Sequence, residues 1–559
     1  ILGVHIFYYA VFRLHRTIWA KVSVYEVLDI VGANVSSFIA LIVIKLLFDI
    51  QPLSHSVLFL MMVLNIMMQF AFRLTYRYYR IVSIKESKRD GKRTLIYGAG
   101  DAGRMVLNEV LENNAFLFNI IGFIDDDLSL KDINIKGVPV FGDKKAFQRV
   151  IDQYQIDQVI VAMPSQPLSV QNKAAQEILK YNVEAKILPS SKDLLQSGSI
   201  QHSIREVNIQ DLLERPEIVI EDVRIEDFLA GKKIMVTGAG GSIGSELVRQ
   251  IMTYKPESVL LLDINETGLY ELQQELKMKH DFDDIGCFAQ VGSIRDEVHL
   301  EKIFKAFTPE IIFHAAAHKH VPLMEDAPSQ AVLNNIFGTY NLIKLSMKYN
   351  VEKFVSISTD KAVNPTNVMG ATKRFNEMML QAYDKTSETK FVAVRFGNVL
   401  GSNGSVIPLF RKQIKEGGPL TVTHPDIIRY FMTIPEAVSL VLQAGTYADG
   451  GEIFVLDMGE PVKILKLAEN LITLSGFKPY EDIKIEFTGL RPGEKLFEEL
   501  HMSEEGVHKT ENDLIFVAEP IFHSIEEIEA SLSKLKSILD ISVEEAIILL
   551  QEVVPTYKP

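Results

Sequence analysis

Two long apolar runs, Ile30–Phe48 and Val57–Leu74, are the strongest pattern in the first hundred residues. Each has about the twenty residues needed to cross a hydrocarbon core of roughly 30 Å. The short polar link Asp49–Ser56 joins them. Residues 1–12 are apolar and aromatic but too short to span a bilayer alone. They read as the tail of a helix whose earlier residues precede Ile1. Lys45 and Asn65 interrupt the runs, so a buried helical hairpin in a soluble domain is the competing reading. Charge placement favours the membrane. Arg13, Arg16 and Lys21 precede the runs, and Arg73, Arg77, Arg80, Lys85, Lys88, Arg89, Lys92 and Arg93 follow, whereas the link has no Lys or Arg. By the positive-inside rule both ends are cytoplasmic and the link lies outside. The first run lies too far into the chain, and recurs, for a signal peptide.

From Arg93 the pattern changes to short apolar runs between helical stretches. RTLIYGAGDAG, IIGFIDDD, QVIVAMPS and EAKILPS predict buried strands of a first α/β unit reaching about Pro189. Gly98, Gly100 and Gly103 have G-x-G-x-x-G spacing, with Asp125 about twenty residues on, which suits a nucleotide. A related fold that binds nothing is the alternative, and no reaction is assigned to it. The expected organisation is a membrane region at 1–90, a first Rossmann-like unit at 91–190, a polar connector at 191–230, a second α/β domain at 231–520 and a helical segment at 521–559. In that last segment Ile528, Leu532, Leu535, Ile538 and Leu539 recur at helical spacing, which predicts packing on the domain before it.

Composition narrows the chemistry. The 559 residues carry a net charge of −14, and such an acidic surface argues against a nucleic-acid partner. Cys287 is the single cysteine, so an internal disulfide and a cysteine-rich zinc site are both excluded. His318 and His320 flank Lys319, but no third ligand falls at a recognisable spacing, and no metal is expected.

IMVTGAGGSIGSE, Ile234–Glu246, is the best candidate for a cofactor site. Gly238, Gly241 and Gly244 follow an apolar strand and open a helix, where a tight turn brings backbone to a pyrophosphate. Asp263 ends the next apolar run, placed to accept hydrogen bonds from an adenosine ribose. A carboxylate there favours NAD over NADP. Arg249 belongs to the helix after the glycines and is no phosphate clamp.

Further along, HAAAHK (His314–Lys319) follows a strand, Asn335 lies in a helix, and STDKAVNPTNVMGATK spans Ser358–Lys373. This order resembles the extended short-chain dehydrogenase/reductase family, with Lys373 where that family keeps the lysine of its Tyr-x-x-x-Lys motif. The tyrosine's place, four residues back on the same helix face, is held by Met369, a thioether with no proton to exchange. Either the enzyme is dead or acid–base work has moved to Thr359, Asp360 and Lys361. In nucleotide-sugar 4,6-dehydratases the corresponding triplet is Thr-Asp-Glu. With Lys361 and Met369, the chain resembles the membrane-bound long-form UDP-N-acetylglucosamine 4,6-dehydratases. The blocks Arg395–Pro408, Arg429–Ala437 and Gly489–Leu500 match that family nearly to the end.

The resemblance implies an α/β fold with N-terminal transmembrane helices and two Rossmann-like doubly wound domains, the second an extended short-chain dehydrogenase/reductase. It implies a multi-pass protein of the bacterial inner membrane with cytoplasmic catalytic domains, a homo-oligomer taking NAD and a UDP-sugar. Cofactor contacts would come from Thr237, Gly238, Gly241, Ser242, Ile243, Gly244, Asp263, Ser293, Ile294, Ala315, Ala316, Ala317 and Lys373. Substrate contacts would come from Lys319, His320, Asn398, Arg429, Arg491 and Glu494, with Asn335 ordering Lys373 through water. The implied chemistry is C4 oxidation, loss of water across C5 and C6, and hydride return to C6. Asp360 would be the acid at C6, Lys361 the base at C5, and Thr359 with water would serve the C4 hydroxyl. A lysine base must be neutral, and whether burial or Asp360 governs Lys361 is open at this level. Two alternatives stand: an epimerase of the same fold, and a membrane scaffold that binds nucleotide sugars without turnover.

Overall fold

The computed structural model describes residues 1–14, 24–48, 54–87, 91–112, 118–181, 183–188, 204–207, 223–278, 284–502, 506–519 and 523–559. Arg16, Lys21, Lys88, Arg89, most of the link 49–56 and most of the connector lie outside them. The chain divides into two compact units, Ile1–Pro167 with Val183–Glu206, and Leu168–Asn182 with Val207–Pro559.

The first unit opens with helices Leu2–Val11, Val24–Phe48 and His55–Ser87. Val27–Phe48 and His55–Tyr76 have mean hydropathies of 2.2 and 1.9 and are long and apolar enough to cross a membrane. Leu46, Leu47, Phe59 and Leu64 are exposed on them. The polar interruption Asn65 turns inward, its Nδ2 donating to Asn34 Oδ1 at 2.9 Å. A five-stranded sheet follows, in the order Phe118–Ile124, Lys92–Tyr97, Gln158–Val161, Glu184–Ile187 and Arg205–Glu206. The first four strands are parallel, and the last, from the stretch expected to be connector, pairs antiparallel.

The second unit is a doubly wound α/β fold. Its strands are β1 (Lys233–Thr237), β2 (Ser258–Asp263), β3 (Gly286–Val291), β4 (Ile311–His314), β5 (Lys353–Ile357), β6 (Lys390–Arg395), β7 (Ile453–Leu456), β8 (Val507–Lys509) and β9 (Ile515–Ala518). They lie in the order β3-β2-β1-β4-β5-β6-β7-β9-β8, parallel as far as β7 and antiparallel beyond. Alternation along the strands feeds two cores. Met235, Leu260, Ile312 and Phe354 join one, while Ile234, Val236, Val259, Leu261 and Phe313 join the other. Both faces are thereby covered, as a parallel sheet requires. The order reverses between β1 and β4, and at such a switch point ligands enter at the strands' carboxyl ends.

Helix Val368–Asp384 is buried along nearly its whole length. Helices Ile525–Leu535 and Val543–Val553 cover it, inserting Ile528, Leu532, Leu535 and Leu550 into the first core. The C-terminal segment therefore packs on the domain as its spacing predicts, with one exception. Leu539 is 59% exposed, because a 3-10 turn at Lys536–Leu539 breaks the helical register after Leu535.

Candidate active site

The carboxyl ends of β1 to β6 supply most of the expected site residues. After β1, Gly238 has φ +71°, and a Cβ there would lie 2.6 Å from the Ala316 nitrogen. A Cβ on Gly244 would lie 2.0 Å from the Gly238 oxygen, so this glycine lets helix Ser242–Thr253 sit on the turn. Among the described residues no side chain caps that helix at Gly241, which leaves its first N–H groups for an anion. Asp263 follows β2 and takes the Gly240 N–H on Oδ2 at 2.8 Å and the Asn265 N–H on Oδ1 at 2.8 Å. It therefore shapes the turn as well as offering lone pairs to a ribose. Ser293 and Ile294 follow β3, and Ala315–Ala317 follow β4 beside Gly238. Asn403 N–H reaches Ser242 Oγ at 3.2 Å, so the 401–405 loop rests on the same helix start. This cradle fits a dinucleotide. The turn after Lys92–Tyr97 is built alike, with Gly98 at φ +111°, a Gly103 Cβ position 1.9 Å from the Gly98 oxygen, and Ala99 N–H donating to Asp125 Oδ2 at 2.6 Å.

Beneath the cradle runs a buried polar chain that the sequence did not disclose. Thr339 Oγ1 donates to the Asn335 carbonyl at 2.6 Å, so its contact with His314 Nε2 at 2.8 Å takes the imidazole proton. Burial, aided by Lys373, holds His314 well below its ordinary pKa, and the neutral ring accepts from Thr237 Oγ1 on Nδ1 at 2.8 Å. Asn335 lies in a π-helical segment, Val332–Phe337, a distortion common at functional sites. Its side chain takes the His318 N–H at 2.8 Å and donates to Thr372 Oγ1 at 3.0 Å, so it bonds the residue beside Lys373 rather than Lys373 itself.

Lys373 is buried and donates to the Ile357 carbonyl at 2.9 Å. Burial outweighs Glu377 and lowers its pKa to about 8. Met369 is also buried, one turn back. Thr359 caps the turn Asp360–Ala362. Its hydroxyl donates to Asp360 Oδ1 at 2.9 Å, and Lys361 Nζ donates to the same oxygen at 2.9 Å. Asp360 is fully buried, and its Oδ2 has no hydrogen-bond partner among the described residues. Lys361 also reaches Asn398 Oδ1 at 3.3 Å and Glu498 Oε1 at 3.6 Å. Burial pulls Lys361 down, but Asp360 and Glu498 outweigh it and hold it above its ordinary value. The resting group is thus an ammonium, with its neighbouring carboxylates prevailing over burial.

Behind the triplet, Glu377 takes Ser358 Oγ at 2.7 Å, Arg395 Nε at 2.6 Å and Arg374 at 3.0 Å, all within the protein. Arg429 is engaged within the protein. Its guanidinium is buried and spends its donors on the carbonyls of Ile428 and Lys495 and on Glu494. It thereby clamps the 489–500 segment. Arg491 is exposed, with its backbone N–H on Glu494 Oε2 at 3.2 Å. Lys319 and His320 are exposed, and a Cβ on Gly404 would strike the His320 ring. Glu498 escaped the sequence reading because it looks like one more acid in KLFEEL; only the fold brings it to Lys361.

Comparison with known proteins agrees with this architecture. A family model described as polysaccharide biosynthesis protein matches residues 234–520, and one described as CoA-binding domain matches residues 15–189. The chain is 46% identical over 429 residues to a probable polysaccharide biosynthesis protein, EpsC, of Bacillus subtilis, covering 76% of this chain and 71% of that protein. It is 43% identical over 504 residues to the capsular polysaccharide biosynthesis protein CapD of Staphylococcus aureus, covering 89% and 82%. A UDP-glucose 4-epimerase of Rickettsia canadensis is 35% identical over 279 residues, covering 49% of this chain and 79% of that protein. The chain belongs to the polysaccharide biosynthesis protein family.

Proposed function

We propose that the protein is an NAD-dependent UDP-N-acetylglucosamine 4,6-dehydratase, held at the inner membrane by its N-terminal helices with both of its sheets cytoplasmic. The observation that carries this reading is the Thr359–Asp360–Lys361 cluster, with an unpartnered buried carboxylate oxygen where the expected tyrosine is a methionine. NAD would supply hydride acceptance from C4 and hydride return to C6. Thr237–Gly244 and Asp263 would hold it, with Lys373 at its reactive end. Thr359 would take the C4 hydroxyl proton while passing its own to Asp360 Oδ1, to which its hydroxyl already donates. Asp360, now a neutral acid, gives that proton to the departing C6 hydroxyl, so the water carries away the proton released at C4. Neutralising Asp360 also removes a charge that kept Lys361 protonated, and burial then favours passing the ammonium proton to a neighbouring carboxylate, which leaves the amine to take the C5 proton. Lys361 later returns that proton to C5.

An epimerase remains the second reading, favoured by the likeness to UDP-glucose 4-epimerases. It shares the C4 ketone but not the loss of water. Incubation with UDP-N-acetylglucosamine followed by mass spectrometry separates the two, because epimerisation leaves the mass unchanged.

A further inference from the structure

Resting on that reading, we infer that Glu498 is the carboxylate that takes the Lys361 proton and returns it at the end of each turnover. A lysine flanked by two acids can act as a base only after one of them accepts its proton. Asp360 is committed elsewhere, since it must hold the proton destined for the C6 hydroxyl. Glu498 is the second carboxylate beside Lys361, with Oε1 3.6 Å from Nζ. Its side chain is 4% exposed, and its Oε2 has no hydrogen-bond partner among the described residues. A buried oxygen left without a partner costs free energy and needs an explanation, and a carboxylate that is neutralised at Oε1 for part of each turnover supplies one.

The charged and polar groups around Lys361 are few. Asp360 and Asn398 accept from it, Glu498 Oε1 lies 3.6 Å from it, and Arg429 stands 3.8 Å from that same oxygen. Arg429 is pinned to backbone carbonyls and Glu494, so it holds Glu498 in place without neutralising Oε2 by a direct bond. The step balances. Lys361 ammonium and Glu498 carboxylate become amine and carboxylic acid, the amine takes and returns the C5 proton, and Glu498 gives its proton back. Glu498 is a positioning and proton-holding residue that acts through Lys361, and it does not touch the sugar.

The test uses the full chain with NAD and UDP-N-acetylglucosamine, comparing wild type, Glu498→Gln and Glu498→Asp. Absorbance of reduced nicotinamide reports C4 oxidation, and mass spectrometry reports loss of water. Glu498→Gln keeps the shape but cannot take a proton. It should oxidise C4 and accumulate reduced nicotinamide while water loss slows about 10²-fold or more. Its rate against pH should shift to lower pH, since a carboxylate near Lys361 is gone. Glu498→Asp should recover part of the rate. Wild-type water loss with an unchanged rate and pH profile in Glu498→Gln would overturn the inference. So would equal loss of both steps in Glu498→Gln with NAD binding intact and no recovery in Glu498→Asp. Absence of water loss in wild type would instead overturn the function on which it rests.

Discussion

At the residue scale the account turns on which groups carry protons. Asp360→Asn and Lys361→Ala should each retain NAD binding, because both lie on the turn after β5 and away from the glycines after β1. Each should lower the rate of water loss by about 10²–10⁴-fold. Calorimetry for NAD and mass spectrometry for product check the two halves separately. Lys373 offers a pH test. Its pKa falls from 10.5 unfolded to about 8 in the fold, so the folded protein binds fewer protons than the unfolded chain between these values. Stability contributed by this group therefore rises with pH across that window, by roughly 3 kcal/mol at full titration. The difference in melting temperature between wild type and Lys373→Met should change across that window. A constant difference would show that burial does not depress the lysine. Asp263 predicts NAD over NADP, since a 2′-phosphate would meet a carboxylate already fixed by two backbone N–H groups. Equal NADP affinity by calorimetry would contradict that placement.

At the element scale, the glycine spacing announced the strand–turn–helix, and the structure explains each position by a contact. Gly244→Ala would place a methyl 2.0 Å from the Gly238 oxygen and should abolish NAD binding, measured by calorimetry, while the chain still folds. What the sequence could not show is how elements distant along the chain meet. Glu377 looked like an ordinary helix acid, yet it is buried against Arg395 and Arg374 behind Ser358. Glu377→Ala should destabilise the fold by about 3–5 kcal/mol, because it strands buried guanidinium groups. Denaturant unfolding checks this. His314 and Glu498 were hidden for the same reason. Local pattern reveals strands and turns, but a buried polar chain from Thr237 to Asn335 depends on packing between β1, β4 and a π-helical turn.

At the scale of the whole molecule, hydropathy made the two apolar helices legible, and short apolar runs made the strands legible. The added strand Arg205–Glu206 was not, being two polar residues in a stretch without pattern. If the helices span the membrane, a cysteine placed at Ser54 should react with an impermeant thiol reagent in intact cells. Native Cys287 is a poor inner reporter, because burial pushes its thiol up and blunts it. A cysteine at exposed Glu526 is the better one, and its labelling from outside would reverse the topology. The central claim concerns chemistry, and one measurement reaches it most directly. Purified protein is incubated with UDP-N-acetylglucosamine, and the nucleotide-sugar product is weighed by mass spectrometry. Loss of one water, slowed by about 10²-fold or more in Asp360→Asn, is the predicted result. A product of unchanged mass with the C4 centre inverted, or recovery of untouched substrate, would contradict it.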